Sequence, residues 1–167
     1  VGAYPTSIAM GDLNGDGRLD AVVASAGPGE IYVLLGLGTG AFATPVGIAV
    51  GSAARSVALG DLNGDGRVDA VSAGGSTVAV LAGNGAGGFG AAVSYSLGQG
   101  IGADAWALTI KNLNGDGKLD VAVANSESHN VSVLLGDGVG GLSVATSYAT
   151  WRLPRSIALG DLDGDGR

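Results

Sequence analysis

The chain has 167 residues, 46% hydrophobic and only 14% charged, with a formal net charge of -7 and no cysteine. Absent cysteine excludes disulfides, thiolate zinc sites and thiol catalysis, and the acidic balance argues against nucleic acid and anionic lipid, which demand clustered Lys and Arg. The 33 glycines, far above the usual ~7%, follow no three-residue period and interrupt Val, Ile and Leu runs, so they mark turns rather than collagen or a flexible linker.

Taken in chain order, Ser7-Ile8-Ala9-Met10 reads as a short strand leading into Gly11-Asp12-Leu13-Asn14-Gly15-Asp16-Gly17-Arg18-Leu19-Asp20. Ala21 to Ala24 is a small and β-branched run read as a buried strand, and Ile31 to Leu35 as a third. Gly36 opens a glycine-rich turn that closes on Phe42, and Val46 to Val50 supplies a weaker fourth strand.

The same order returns twice. Ser56 to Leu59 precedes an acidic segment at Gly60 to Asp69, followed by Ala70 to Ala73, Thr77 to Leu81, a turn from Gly83 to Phe89, and Val93 to Leu97. Ala107 to Ile110 precedes Lys111 to Asp120, followed by Val121 to Ala124, Asn130 to Leu135, a turn from Gly136 to Leu142, and Val144 to Ala149. Ser156 to Leu159 then opens a fourth copy that runs out at Gly160 to Arg167.

The steps from Asp12 to Asp61, from Asp61 to Asn112 and from Asn112 to Asp161 are 49, 51 and 49 residues. A fixed period of this length is the mark of a repeat architecture. The chain therefore reads as one all-β repeat domain over 1–167, with repeats near 1–50, 51–100 and 101–150 and a partial one at 151–167. Four short strands per repeat, with no helical period, predict β-propeller-type blades of four antiparallel strands. A β-sandwich would share the short strands but not the period.

Eleven of the fifteen acidic residues lie in the four recurring segments. In the first, oxygen side chains alternate at Asp12, Asn14, Asp16 and Asp20, with Arg18 between the last two. A hard cation such as Ca2+ takes six to eight oxygens, and a tight loop supplies them from positions 1, 3, 5 and 9 by side chains and from position 7 by its carbonyl. Arg or Lys at position 7 then needs only its backbone oxygen, and Gly17, Gly66 and Gly117 at position 6 allow the reversal.

Asp61, Asn63, Asp65, Arg67 and Asp69 repeat the set. Asn112, Asn114, Asp116, Lys118 and Asp120 repeat it with one charge fewer, so the third site is expected to be weaker. Asp161, Asp163 and Asp165 start a fourth that stops before position 9, leaving about three Ca2+ sites and one incomplete. An EF-hand or dockerin loop needs a carboxylate at position 12, where Val23, Ser72 and Val123 stand. The competing reading is an Asx-rich turn whose carboxylates bond only their own backbone.

The order Ser-Ile-Ala-x-Gly-Asp-Leu-Asn-Gly-Asp-Gly-x-Leu-Asp, a small apolar strand, Val-x-Val-Leu-Leu-Gly and a glycine turn ending in Phe resembles the FG-GAP/VCBS repeat of integrin-type β-propellers. The resemblance covers essentially the whole chain. It implies that the acidic loop joins the first two strands of a blade and binds calcium through the residues named above. It further implies an extracellular or cell-surface setting and a role in adhesion, ligand binding or as an accessory domain of a secreted enzyme.

Propellers usually close with four to eight blades. Three blades and one strand leave open edges, so the chain is expected to belong to a longer propeller or to self-associate, with the strand around Arg155 to Leu159 as donor. Beginning at Val1 without methionine and ending at Arg167 inside a motif fits a piece of something longer.

No enzyme is expected. His129 is the single histidine, it falls in a polar hairpin between Ser126 and Asn130, and no other repeat has a counterpart. A protein or glycan ligand and a purely structural, self-assembling role stand as the alternatives. Trp106, Trp151, Tyr32, Tyr95, Arg55 and Arg155 depart from the repeat and are read as filling between blades rather than as a sugar site.

Overall fold

The computed structural model describes residues 2–98 and 104–161. Its twelve strands form three four-stranded antiparallel sheets, each an up-and-down meander. The first comprises β1 (Pro5–Gly11), β2 (Asp20–Ser25), β3 (Glu30–Leu34) and β4 (Val46–Ala49). The second comprises β5 (Ser56–Gly60), β6 (Asp69–Gly74), β7 (Thr77–Leu81) and β8 (Val93–Ser96). The third comprises β9 (Ala105–Lys111), β10 (Asp120–Asn125), β11 (Asn130–Leu134) and β12 (Thr146–Ala149). These are the predicted blades, and no helix occurs among the described residues.

Side chains alternate between the two faces of each sheet, and that alternation builds two interblade cores. Val22, Ala24, Ile31 and Val33 of the first blade pack with Val57, Ala70, Ala79 and Leu81 of the second. The opposite face of the second blade, Val71, Ala73, Val78 and Val80, packs with Leu108, Val121, Val123 and Leu134 of the third. A strand covered on both faces reads as a continuous apolar run, and β6 and β10 are buried along their whole length.

The first strands stand side by side, β5 between β1 and β9. Serine hydroxyls link them: Val57 N–H donates to Ser7 Oγ at 3.3 Å and Leu108 N–H to Ser56 Oγ at 3.1 Å. In the third repeat Ala107 stands at this position and offers no acceptor.

One feature differs from the strand expectations. Ser156 to Leu159 joins no sheet among the described residues. In each blade the first strand pairs only with the second, and no second strand of a fourth repeat lies among the described residues. The face of the first blade away from the second is also uncovered. Ile8 is 61% exposed where its repeat counterpart Val57 is 6% exposed.

Candidate metal-binding loops

Each acidic segment joins the first strand of a blade to the second, so β1, β5 and β9 deliver their loops to the same end of the molecule. The loop wraps around its first side chain. Asp12 Oδ1 accepts the N–H groups of Asn14, Gly15 and Asp16 at 3.2, 2.7 and 3.2 Å, and Oδ2 accepts Gly17 N–H at 2.8 Å. Asn14 Oδ1 accepts Asp16 N–H at 3.0 Å, and Asp16 Oδ1 accepts Arg18 N–H at 2.8 Å. Gly15 and Gly17 both have positive φ, 76° and 78°, which residues with a Cβ adopt only at a cost.

The second loop reproduces this. Asp61 accepts Gly64 and Asp65 N–H on Oδ1 and Gly66 N–H on Oδ2, Asn63 accepts Asp65 N–H, and Asp65 accepts Arg67 N–H. The third is thinner. Asn112 has one side-chain oxygen, and it accepts Gly115 N–H at 2.9 Å. Asn114 and Asp116 keep their bonds to Asp116 and Lys118 N–H.

The N–H groups favour the charged carboxylate. Asp12 is held below the usual carboxylate range, chiefly by Gly17 N–H, and Asp116 likewise, chiefly by Lys118 N–H. Both stay ionised at neutral pH.

Position 9 is placed differently from positions 1, 3 and 5. Asp20 is fully buried; its Oδ2 accepts Leu13 N–H at 2.9 Å and its Oδ1 accepts Gly36 N–H at 2.7 Å. Asp69 does the same with Leu62 and Gly83, and Asp120 with Leu113 and Gly136. The aspartate thus ties the acidic loop to the glycine turn that follows the third strand. Gly36 is required there because a Cβ would sit 2.2 Å from Leu19 O. Sequence reasoning assigned these aspartates only as ligands. The tie spans 14 to 16 residues, and its one sequence signal was the recurrence of Asp and Gly in every complete repeat.

Position 7 also has a side-chain role beyond the backbone oxygen read from the sequence. A Cβ on Gly38, Gly85 or Gly138 would meet the stem or head of Arg18, Arg67 or Lys118 at 2.9 to 3.2 Å, so these long side chains lie across the neighbouring turn. The Arg18–Asp16 ion pair, 3.8 Å and exposed, adds little.

In the fourth loop Asp161 is described, whereas Asp163 and Asp165 lie outside the described residues. Among the described residues no three His, Cys, Asp or Glu side chains close into a metal cluster. The backbone bonds of an Asx-rich turn are therefore present. They crowd Asp12 Oδ1 with three N–H groups but do not exhaust the oxygen set, because Asp12 Oδ2, Asp61 Oδ2 and Asp16 Oδ1 each accept one backbone N–H and keep a lone pair. An all-oxygen set on a preformed loop, half-buried at Asp12, exposed at Asp16 and buried at Asp20, is the donor chemistry a hard cation takes.

The comparisons bear on the same segments. A family model for the FG-GAP-like repeat matches residues 12–72, 61–123 and 112–167. A solved lectin from Agrocybe aegerita, described as recognising non-reducing terminal N-acetylglucosamine, is 25% identical with a TM-score of 0.54, over 84% of this chain and 37% of its own. BBS1N in complex with ARL6DN is 14% identical with a TM-score of 0.67, over 98% and 50%. The V. cholerae biofilm matrix protein Bap1 is 22% identical with a TM-score of 0.50, over 82% and 19%. This chain therefore spans half or less of each of these structures, and the latter two speak for the fold alone. No curated protein matches it in sequence.

Proposed function

Because the chain belongs to the FG-GAP-like repeat family, we propose that it is a calcium-stabilised, non-catalytic module for binding or adhesion, working outside the cell or at its surface, where calcium is abundant. Asp12, Asn14, Asp16, the Arg18 carbonyl and Asp20 would hold one ion. Their counterparts from Asp61 to Asp69 and from Asn112 to Asp120 would hold two more. A bound ion supplies positive charge among clustered carboxylates and pins each loop to its blade.

One observation carries this reading. The loop backbone is already folded around Asp12 and Asp61, with their N–H groups on the carboxylates and Asp16 and Asp65 brought alongside. Such an arrangement gathers negative charge at an exposed place, which a hard cation relieves. The test is thermal unfolding with calcium and with a chelator. Binding to the folded state alone adds RT ln(1 + [L]/Kd), about 2.7 kcal/mol per site at a hundredfold excess over Kd. An unchanged melting temperature would remove calcium from the account.

A non-catalytic role is supported by the setting of His129. It is exposed, its φ is 54°, and its Nδ1 accepts Leu153 N–H at 3.1 Å. That bond ties down the last segment of the chain rather than activating a nucleophile.

Glycan binding is the second reading, favoured by the likeness to the Agrocybe aegerita lectin; this is also what an accessory domain of a secreted enzyme would do. A glycan array decides it. The third reading is assembly. The uncovered face at Ile8 and the unpaired segment at Ser156 to Leu159 favour further blades beside these three, from a longer chain or another copy. Light scattering on the purified chain separates self-assembly from a monomer.

A further inference from the structure

Thr6, Arg55, Trp106 and Arg155 occupy one repeat position, the residue before Ser7, Ser56, Ala107 and Ser156. They lie where the first strand of each repeat begins, at the end of the molecule opposite the acidic loops. In β1 and β9 the residue at this position is an extra one in the ladder. Pairing shifts between Pro5 and Ser7 and, across β10, between Ala124 and Asn125, so Thr6 and Trp106 are bulged out of register. A bulge re-aims a side chain.

The re-aimed indole gathers two cations. The guanidinium carbons of Arg55, immediately before β5, and Arg155, from the segment after the third blade, each lie 4.6 Å from the Trp106 ring centroid. Arg55 Nε is 3.0 Å from Asp104 Oδ1, but its N–H is not aligned for a hydrogen bond and the atom is buried. Arg155 makes no ion pair among the described residues. Thr6, Arg55 and Trp106 border a cavity of about 130 Å³.

From this geometry we infer that the Arg55–Trp106–Arg155 cluster binds the carboxylate of a small monoanion. The unclaimed groups here are donors: the guanidinium N–H groups and the indole N–H. A set of donors without acceptors selects an anion, and guanidinium forks match a planar carboxylate. Two arginines against one Asp104 leave a single positive charge, which a monocarboxylate neutralises and a dianionic phosphate overshoots beside Asp104. The cavity bordered by Thr6, Arg55 and Trp106 has room for a carboxylate head, and Arg155 stands against the same indole ring. The rest of the ligand extends into solvent. Arginine already stacks on the Trp106 ring, so a neutral sugar would have to compete with it for that platform.

The test uses the full chain carrying Trp151→Phe, which leaves Trp106 as the sole indole, and follows its fluorescence and its indole N–H resonance at constant ionic strength. Acetate and glucuronate should each give a saturable change, glucose none, and Arg155→Gln should weaken binding at least tenfold while the circular dichroism spectrum is retained. Calcium is kept constant throughout, so a negative result here leaves the acidic-loop reading untouched. The inference is overturned if neither carboxylate saturates, if chloride reproduces the change, if Arg155→Gln binds equally well, or if sulfate or phosphate binds more tightly than the monocarboxylates.

Discussion

Asp20 and Gly36 are bound to one another across the blade: the buried carboxylate accepts the glycine N–H at 2.7 Å while its other oxygen accepts Leu13 N–H. The acidic loop and the glycine turn are therefore tied into one unit by protein groups alone. Removing the acceptor strands two buried donors, and each unsatisfied donor costs about 1–3 kcal/mol. Asp69→Ala should accordingly lower stability by about 2–6 kcal/mol even in chelator, whereas Asp61→Ala should lower it mainly in calcium. Urea unfolding of both variants in each buffer checks this. Equal losses in chelator would show that position 9 has no structural share of its own.

The glycine partner should be as sensitive as the aspartate. At Gly83 a Cβ would fall 2.1 Å from Val68 O, and a backbone atom cannot swing aside. Gly83→Ala is expected to destabilise by more than about 2 kcal/mol, well beyond the ~1 kcal/mol scale of ordinary substitutions. Gly75→Ala, with positive φ but nothing within 4 Å, should cost less. Thermal melts of the pair separate steric collision from backbone preference.

Much of the blade plan was legible in the sequence, because strand alternation and turn glycines act over a few residues. Val71 and Val121 are buried where small and β-branched runs were read as covered strands. What escaped was tertiary. Nothing local in Asp20-Ala21-Val22 reveals that the carboxylate meets Gly36. Nor does Trp106 by itself announce a bulge, since the extra residue shows only in its pairing with β10. The serine hooks were half visible: Ser7 and Ser56 recur, and Ala107 breaks the series, but the partner N–H lies in the next blade.

Those hooks give a further test. Leu108 N–H is buried and bonded to Ser56 Oγ, so Ser56→Ala leaves it without a partner and should cost about 1–2 kcal/mol. Ser7→Ala, whose bond is longer and only partly buried, should cost less. Calorimetric melting temperatures should rank the two in that order, and the reverse order would show that the hooks do not join the blades.

The glycine turns carry their own side-chain anchor. Asn84 Oδ1 accepts Ala86 and Gly88 N–H, and Asp137 Oδ1 accepts Val139 and Gly141 N–H, each within 3.0 Å. The first repeat has Leu37 instead, 48% exposed. Leu37→Asn should supply the missing acceptor and raise stability by about 0.5–1.5 kcal/mol, read as a higher urea midpoint with unchanged slope. A fall in the midpoint would mean that the Leu37 side chain contributes more by packing than the turn gains by bonding.

Acid should weaken these turns in a defined direction. Val139 N–H, followed by Gly141 N–H, holds Asp137 below the usual carboxylate value, and Asp12 and Asp116 are lowered chiefly by the N–H groups of Gly17 and Lys118. A carboxylate whose folded pKa is depressed contributes stability that is complete above its unfolded pKa, about 3.9, and lost as pH falls through the folded value. In chelator, stability should be flat with respect to these groups above about pH 5 and decline below about pH 4. Asp137→Asn keeps one acceptor oxygen and loses the charge, so its decline should be shallower. Unfolding curves of the parent and Asp137→Asn proteins between neutral and acid pH check the sign, and a parent protein that gained stability on acidification would contradict it.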